Sequence, residues 1–332
     1  MANFMEDGFT VVAIGGNDKS AVGGSARRPT GQPAAVDRAR SHRRSPLLQF
    51  ESSQKSVFPL AVIALVFGMQ SDESTPRQGI EVRSYFVRGR NALLTRADFG
   101  DLYVDYYLHQ GQHGYQHFPE HDGLFKEALA AITLHCASRP WSETVAWTIH
   151  FQDPLLNLFV AGDNRLGTVV GQIFTDNVKA DAPQLFIADV VRGRDDTRRS
   201  AVEFSGQDVF RAVEKYYAQS EQRPARYFQH GPEDFVFVSA QPQCDINWFE
   251  NLDDAAILTM DENEELSLLE QRFYRWECGC TQAKMFSVLA SVMRSDPEGL
   301  FGDDPVVRIS CPRCGARHTI TREALEAYML ET

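Results

Sequence analysis

With 332 residues and 43% hydrophobic content, the chain can build one large core and a smaller satellite, so two folded units are expected. A net charge of −12 argues against a dedicated nucleic-acid binder, which carries a basic footprint. Six cysteines in this length make no disulfide framework and suit a reducing cytosol.

Residues 1–56 are rich in Gly, Ser, Ala, Pro and Arg, with clusters such as Ala26-Arg27-Arg28-Pro29, and show no sustained apolar period, so disorder is expected. Residues 57–68 form a twelve-residue apolar run. That is too short for a membrane span, which needs about twenty residues, though it has the length of a signal-peptide core. Cysteine thiolates further along would be oxidised outside the cell, which stands against export. The preferred reading of residues 1–78 is a disordered extension or a misassigned start, with Met69 and a short polar lead-in heading the physiological chain.

From Val82 onward the texture is globular. Residues 82–96 read as extended with a bend at Arg88-Gly89, and 98–108 carry Phe99, Leu102, Tyr103, Tyr106 and Tyr107 at helical spacing. Residues 121–137 read as a helix with Leu124, Ala128, Leu129 and Ile132 inward. Strands are predicted at 144–151, where Val145, Trp147, Ile149 and Phe151 alternate with polar residues, and at 155–161, 166–174 and 185–192. Gly162-Asp163-Asn164-Arg165-Leu166-Gly167 reads as a hairpin turn. Ser205 with Asp208 resembles a capping box for a helix over 206–219, whose inward face is Val209, Phe210, Val213, Tyr216 and Tyr217. Extended runs at 225–230 and 235–241 complete an α+β body over 79–244.

His109, His113, His117 and His121 recur every four residues, but Gly111, Gly114 and Pro119 break a continuous helix there, so a solvated loop is expected and no metal stripe. Residues 227–271 contain no Lys or Arg but eleven acids, interleaved with Trp248, Phe249, Leu252, Ile257, Leu258, Leu266 and Leu269. Residues 245–275 read either as a short helical connector with a solvated acidic face or as a marginally stable segment, because like charges are crowded on it. No G-x-S-x-G, Walker loop or H-E-x-x-H is present, so an enzyme is not expected.

The end of the chain, 276–332, carries Cys278-Gly279-Cys280, thirty residues, then Cys311-Pro312-Arg313-Cys314-Gly315. Thiolates two apart in an extended segment face one side of the chain. The second pair is a Cys-x-x-Cys knuckle in which Gly315 supplies the positive φ that turns the chain around a metal. Four soft sulfur ligands suit a closed tetrahedral Zn2+ site held by Cys278, Cys280, Cys311 and Cys314, with no open position for substrate. Cys136 and Cys244 are isolated and read as ordinary packed thiols.

The C-x-C opening is unusual for a zinc ribbon. Together with the C-x-x-C knuckle, with Phe86-Val87-Arg88-Gly89 and with Ser220-Glu221-Gln222-Arg223-Pro224-Ala225-Arg226, it resembles the redox-regulated 33-kDa heat-shock chaperone family. The resemblance extends back to about Val82 and does not take in residues 1–78. The resemblance implies an α+β body of mixed sheet and helices, a metastable helical linker and a small C-terminal zinc-binding domain. It implies a cytoplasmic, stress-responsive, ATP-independent holdase, inactive when reduced and zinc-bound. On oxidation Cys278 would pair with Cys280 and Cys311 with Cys314, zinc would leave, and the linker's Trp248, Phe249, Leu252, Ile257, Leu258, Leu266 and Leu269 would join the body in holding unfolded clients. Expected partners are unfolded client proteins and, once oxidised, a second copy of the chain; neither nucleic acid nor a membrane is expected. The alternative class is a constitutive zinc-ribbon protein-interaction module, separated from the first by whether client binding depends on oxidation.

Overall fold

Alternation of apolar and polar residues dictates the central strands, because successive side chains of a strand point to opposite faces. Val145, Trp147, Ile149 and Phe151 are all fully buried on one face of a single strand, as their spacing predicts. The structure, a computed structural model, describes residues 79–331. The expected extension over 1–78, with its apolar run and Met69, lies outside the described residues.

In chain order the strands are β1 (Ile80–Val87), β2 (Ala92–Asp98), β3 (Glu143–Gln152), β4 (Leu155–Asp163), β5 (Thr168–Phe174), β6 (Leu185–Arg192), β7 (Arg198–Glu203), β8 (Ala225–His230), β9 (Asp234–Ala240), β10 (Leu266–Trp276), β11 (Val306–Ser310) and β12 (Arg317–Thr321). The helices are α1 (Gly100–Gln112), α2 (Pro119–Ala137), α3 (Val209–Tyr216), α4 (Ile246–Glu250), α5 (Asp254–Leu258), α6 (Met260–Asn263), α7 (Gln282–Ser295), α8 (Pro297–Phe301) and α9 (Arg322–Glu331). A π-helical turn over Tyr217–Glu221 extends α3. Among the described helices none is long and apolar enough to cross a membrane.

The expected α+β class holds: strands run β7-β6-β3-β4-β5-β10-β1-β2-β9-β8 in one mixed sheet, and α1 to α3 pack into its main core. Asp163 to Gly167 turns β4 back onto β5 as expected, with Gly167 at φ 61°. Helix α3 begins one turn later than its capping-box reading. Gly206 sits in the left-handed region at φ 89°, and Asp208, not Ser205, caps the helix by accepting from the Arg211 amide at 3.0 Å. Cys136 is buried beside Gly162, and burial pushes its thiol well up; Cys244 is half-buried.

The connector expected over 245–275 has two different halves. Helices α4, α5 and α6 lie flat against the far face of the β1-β2-β9-β8 half-sheet, where Phe249, Leu252, Ile257 and Met260 join Val87, Leu94, Phe228, Val236 and Val238 in a second core. From Leu266 the chain is a strand. β10 pairs antiparallel with β1 and meets β5 in parallel at Trp276–Val169, so it joins the two halves of the sheet. Its buried residues Arg272, Tyr274 and Trp276 reach into the body. Arg272 donates to the Cys136 carbonyl at 3.2 Å, pairs with Glu270 at 2.5 Å and lies over the Trp141 ring at 4.3 Å. A buried charge so paired is costly to strand without partners, which fixes β10 in place.

Charge crowding on the connector is also relieved by the body. Arg90 bonds Asp245 at 2.8 Å and Glu264 at 3.1 Å, Arg96 bonds Asp261 at 2.7 Å, and Arg88 lies 3.2 Å from Glu265. Asp245 and Asp253 additionally cap α4 and α5. The Trp248 amide and Arg90 hold the Asp245 carboxyl below the usual carboxylate range. Acids expected to repel one another therefore serve as complementary partners of body arginines.

Candidate metal centre

Strand β10 ends at Trp276 and delivers Cys278 and Cys280 across Gly279, which takes φ 65°. Thr281 then caps α7 by accepting from the Lys284 amide at 3.3 Å. The second pair forms the turn of the β11–β12 hairpin. There the Cys311 amide donates to the Ala316 carbonyl at 2.8 Å, the Gly315 amide donates to the Cys311 carbonyl at 2.9 Å, and Gly315 takes φ 73°. This is the positive φ that its position in the motif predicts.

The two turns bring all four sulfurs within 4.8 Å of one another. Cys278 and Cys311 are 3.7 Å apart and Cys280 and Cys314 3.3 Å apart, so each contact crosses between the motifs. Zinc–sulfur bonds of about 2.3 Å place tetrahedral ligands about 3.8 Å apart, so this donor set fits the ion. Sulfur–sulfur hydrogen bonds hold Cys278 and Cys311 below the usual thiol range and push Cys280 and Cys314 above it. Four sulfurs this close cannot all be anionic without a cation among them. Cys311 and Cys314 are buried, Cys278 and Cys280 half-buried. His318, four residues after Cys314, lies outside the cluster and faces His113, ring centroids 5.7 Å apart.

The module's own core is small: Met285, Leu289, Met293, Leu300, Phe301, Val307, Ile309, Ile320 and Leu325. Cys311, Cys314 and Ala316 instead join the main core beside Trp276. The histidine-rich stretch expected as a solvated loop is where this happens. α1 runs on through Gly111 to Gln112, and His109 Nε2 and the Tyr115 hydroxyl both donate to the Cys314 carbonyl, at 3.2 and 2.5 Å. Arg317 donates to the Gly114 carbonyl at 2.8 Å. The glycines predicted to break the helix lie at its end, where they let the chain fold against the knuckle. Tyr115 and Arg317 were not legible as site residues; an aromatic in a Gly-rich loop was the only signal.

The linker residues divide. Phe249, Leu252 and Ile257 are buried in the second core, with Trp248 and Leu266 packed at its edge, while Leu258 and Leu269 are 67% and 56% exposed.

The family model described as Hsp33 protein matches residues 240–321, from the end of β9 to the end of β12. The 33 kDa chaperonin of Caldanaerobacter subterraneus subsp. tengcongensis is 30% identical over 70 residues, 21% of this chain, and the match spans 24% of that relative's length. The crystal structure of a 33 kDa chaperonin (heat shock protein 33 homolog) from Thermotoga maritima is similar with a TM-score of 0.57 and 13% identity, covering 76% of this chain and 98% of that one. At that identity the likeness is one of fold. Cysteine spacing, the match over linker and knuckle, and the fold of the body agree, and the chain resembles the Hsp33 family of 33 kDa chaperonins.

Proposed function

We propose that this chain is a cytoplasmic, redox-regulated holdase chaperone that works without ATP, closed when reduced and opened by oxidation of Cys278, Cys280, Cys311 and Cys314. The observation that carries the reading is the meeting of four sulfurs, two from each side of a thirty-residue segment, within 4.8 Å. Bound zinc would hold these sulfurs as thiolates, the nucleophilic form. In each pair one thiolate attacks peroxide, breaking its O–O bond to give a sulfenic acid and releasing hydroxide; the second thiolate displaces the sulfenic oxygen as hydroxide and forms the S–S bond. Each pair thereby loses two electrons to one peroxide.

The pairing proposed is Cys278 with Cys280 and Cys311 with Cys314. Neither bridge then ties the two motifs together, and a module with so small a core loses its fold. The linker helices, of five, five and four residues, are too short to persist undocked. Their departure bares Val87, Leu94, Phe228, Val236 and Val238 on the half-sheet, an apolar surface suited to unfolded clients.

Treating the reduced, zinc-loaded chain with peroxide while following zinc release and aggregation of an unfolded model protein tests this. Release of one zinc per chain should rise with suppression of aggregation. Suppression that is equal before and after oxidation would leave a constitutive interaction module as the reading.

A further inference from the structure

Both cysteine pairs are held by one patch of the body. Trp276, two residues before Cys278, packs with ring centroids 5.2 Å from Tyr106 and 5.5 Å from His109. The Cys314 carbonyl accepts from Tyr115 and His109, as described above. The Tyr115 ring also lies directly on Gly315: a Cβ added there would meet its Cζ at 3.0 Å and its Oη at 3.2 Å. Gly315 thus serves the knuckle through its positive φ and serves the body by leaving room for the ring. Arg317 completes the contact from the other side, donating to Gly114 with its guanidinium 6.0 Å from the Tyr115 ring.

Building on the zinc-switch reading, we infer that Tyr115, supported by His109 and Arg317, is a latch through which the body holds the Cys311–Cys314 knuckle in its metal-binding shape. The Cys314 carbonyl carbon is bonded to the Cα from which the Cβ and Sγ hang, so holding the carbonyl holds the backbone position from which the sulfur reaches the metal. Coupling of two equilibria is reciprocal. A docked knuckle retains metal better, and loss of metal loosens the latch and exposes Tyr106, Tyr115 and Trp276 beside the linker's root. Tyr115 is a positioning residue: it touches the ligand's backbone and not the metal.

Tyr115→Phe keeps the ring on Gly315 and removes only the hydroxyl. In the full-length, reduced chain it should still bind one zinc, but pass it to a colorimetric chelator faster by about two- to tenfold, the span of one lost hydrogen bond. Amides of residues 109–117 and 314–318 should exchange faster together, while the body's melting temperature stays at the wild-type value. Arg317→Gln, acting on the opposite side of the contact, should shift the transfer rate in the same direction. Wild-type transfer rates in both variants would overturn the latch, as would a lowered melting temperature with unchanged transfer, which marks a merely structural tyrosine. The zinc-switch reading fails separately, at the wild-type stoichiometry: a chain that holds no zinc refutes the switch before any variant is compared.

Discussion

Cys311→Ser is expected to empty the metal centre and unfold residues 278–331 while the body's sheet stays folded. Cys311 is buried and belongs both to the four-sulfur cluster and to the main core. Structural zinc contributes roughly 10–16 kcal/mol in small zinc peptides, against about 5–15 kcal/mol for the stability of a whole domain. A nine-residue core cannot replace a contribution of that size. Native mass spectrometry should show zinc falling from one per chain to a small fraction. Hydrogen exchange should show α7, β11 and β12 losing protection and β3, β4 and β6 keeping it. Full zinc retention would mean that the ligand set is wrong.

The second large effect is expected at Phe249. It is 2% exposed and anchors α4 in the second core. Removing a buried phenyl costs about 3–5 kcal/mol, whereas the linker's partly exposed ion pairs contribute only about 0–1 kcal/mol each. Phe249→Ala should therefore undock the linker without any oxidant, so that reduced, zinc-loaded protein already suppresses aggregation. Leu258→Ser, at an exposed position of the same segment, is the matched control and should leave the reduced protein inactive. A reduced Phe249→Ala protein whose linker exchanges fast yet binds no client would separate linker docking from activity.

Much of the body was legible because its strands bury one face. The alternation in β3 and the apolar spacing of α1 and α2 marked these elements to within a few residues. β7, with Arg198, Arg199 and Glu203, escaped notice because it is a charged edge strand, whose polar residues discourage pairing with other chains. β10 was hidden by Arg272: a charge at an inward position breaks the apolar alternation, and only the Cys136 carbonyl, Glu270 and Trp141 reveal why it is tolerated there. The four cysteines were legible from spacing alone, since short motifs place their own side chains. Contacts made across the fold were not. The acids of the linker looked mutually repulsive because the arginines that pair with them, Arg88, Arg90 and Arg96, lie more than 150 residues away in sequence. Removing these acids would take away attraction instead of repulsion. His109 and Tyr115 likewise acquire their role only from a carbonyl about two hundred positions further on.

In the proposed switch the four cysteines keep the linker docked, and oxidising them releases it. Amide hydrogen exchange of residues 246–263, compared before and after peroxide in the full-length chain, tests this most directly, because exchange reports local opening segment by segment. Slow exchange is expected across α4, α5 and α6 in the reduced, zinc-loaded protein. After oxidation these segments should exchange fast while β3, β4 and β6 stay protected. Equal protection of residues 246–263 in both states would mean that the cysteines do not control linker docking.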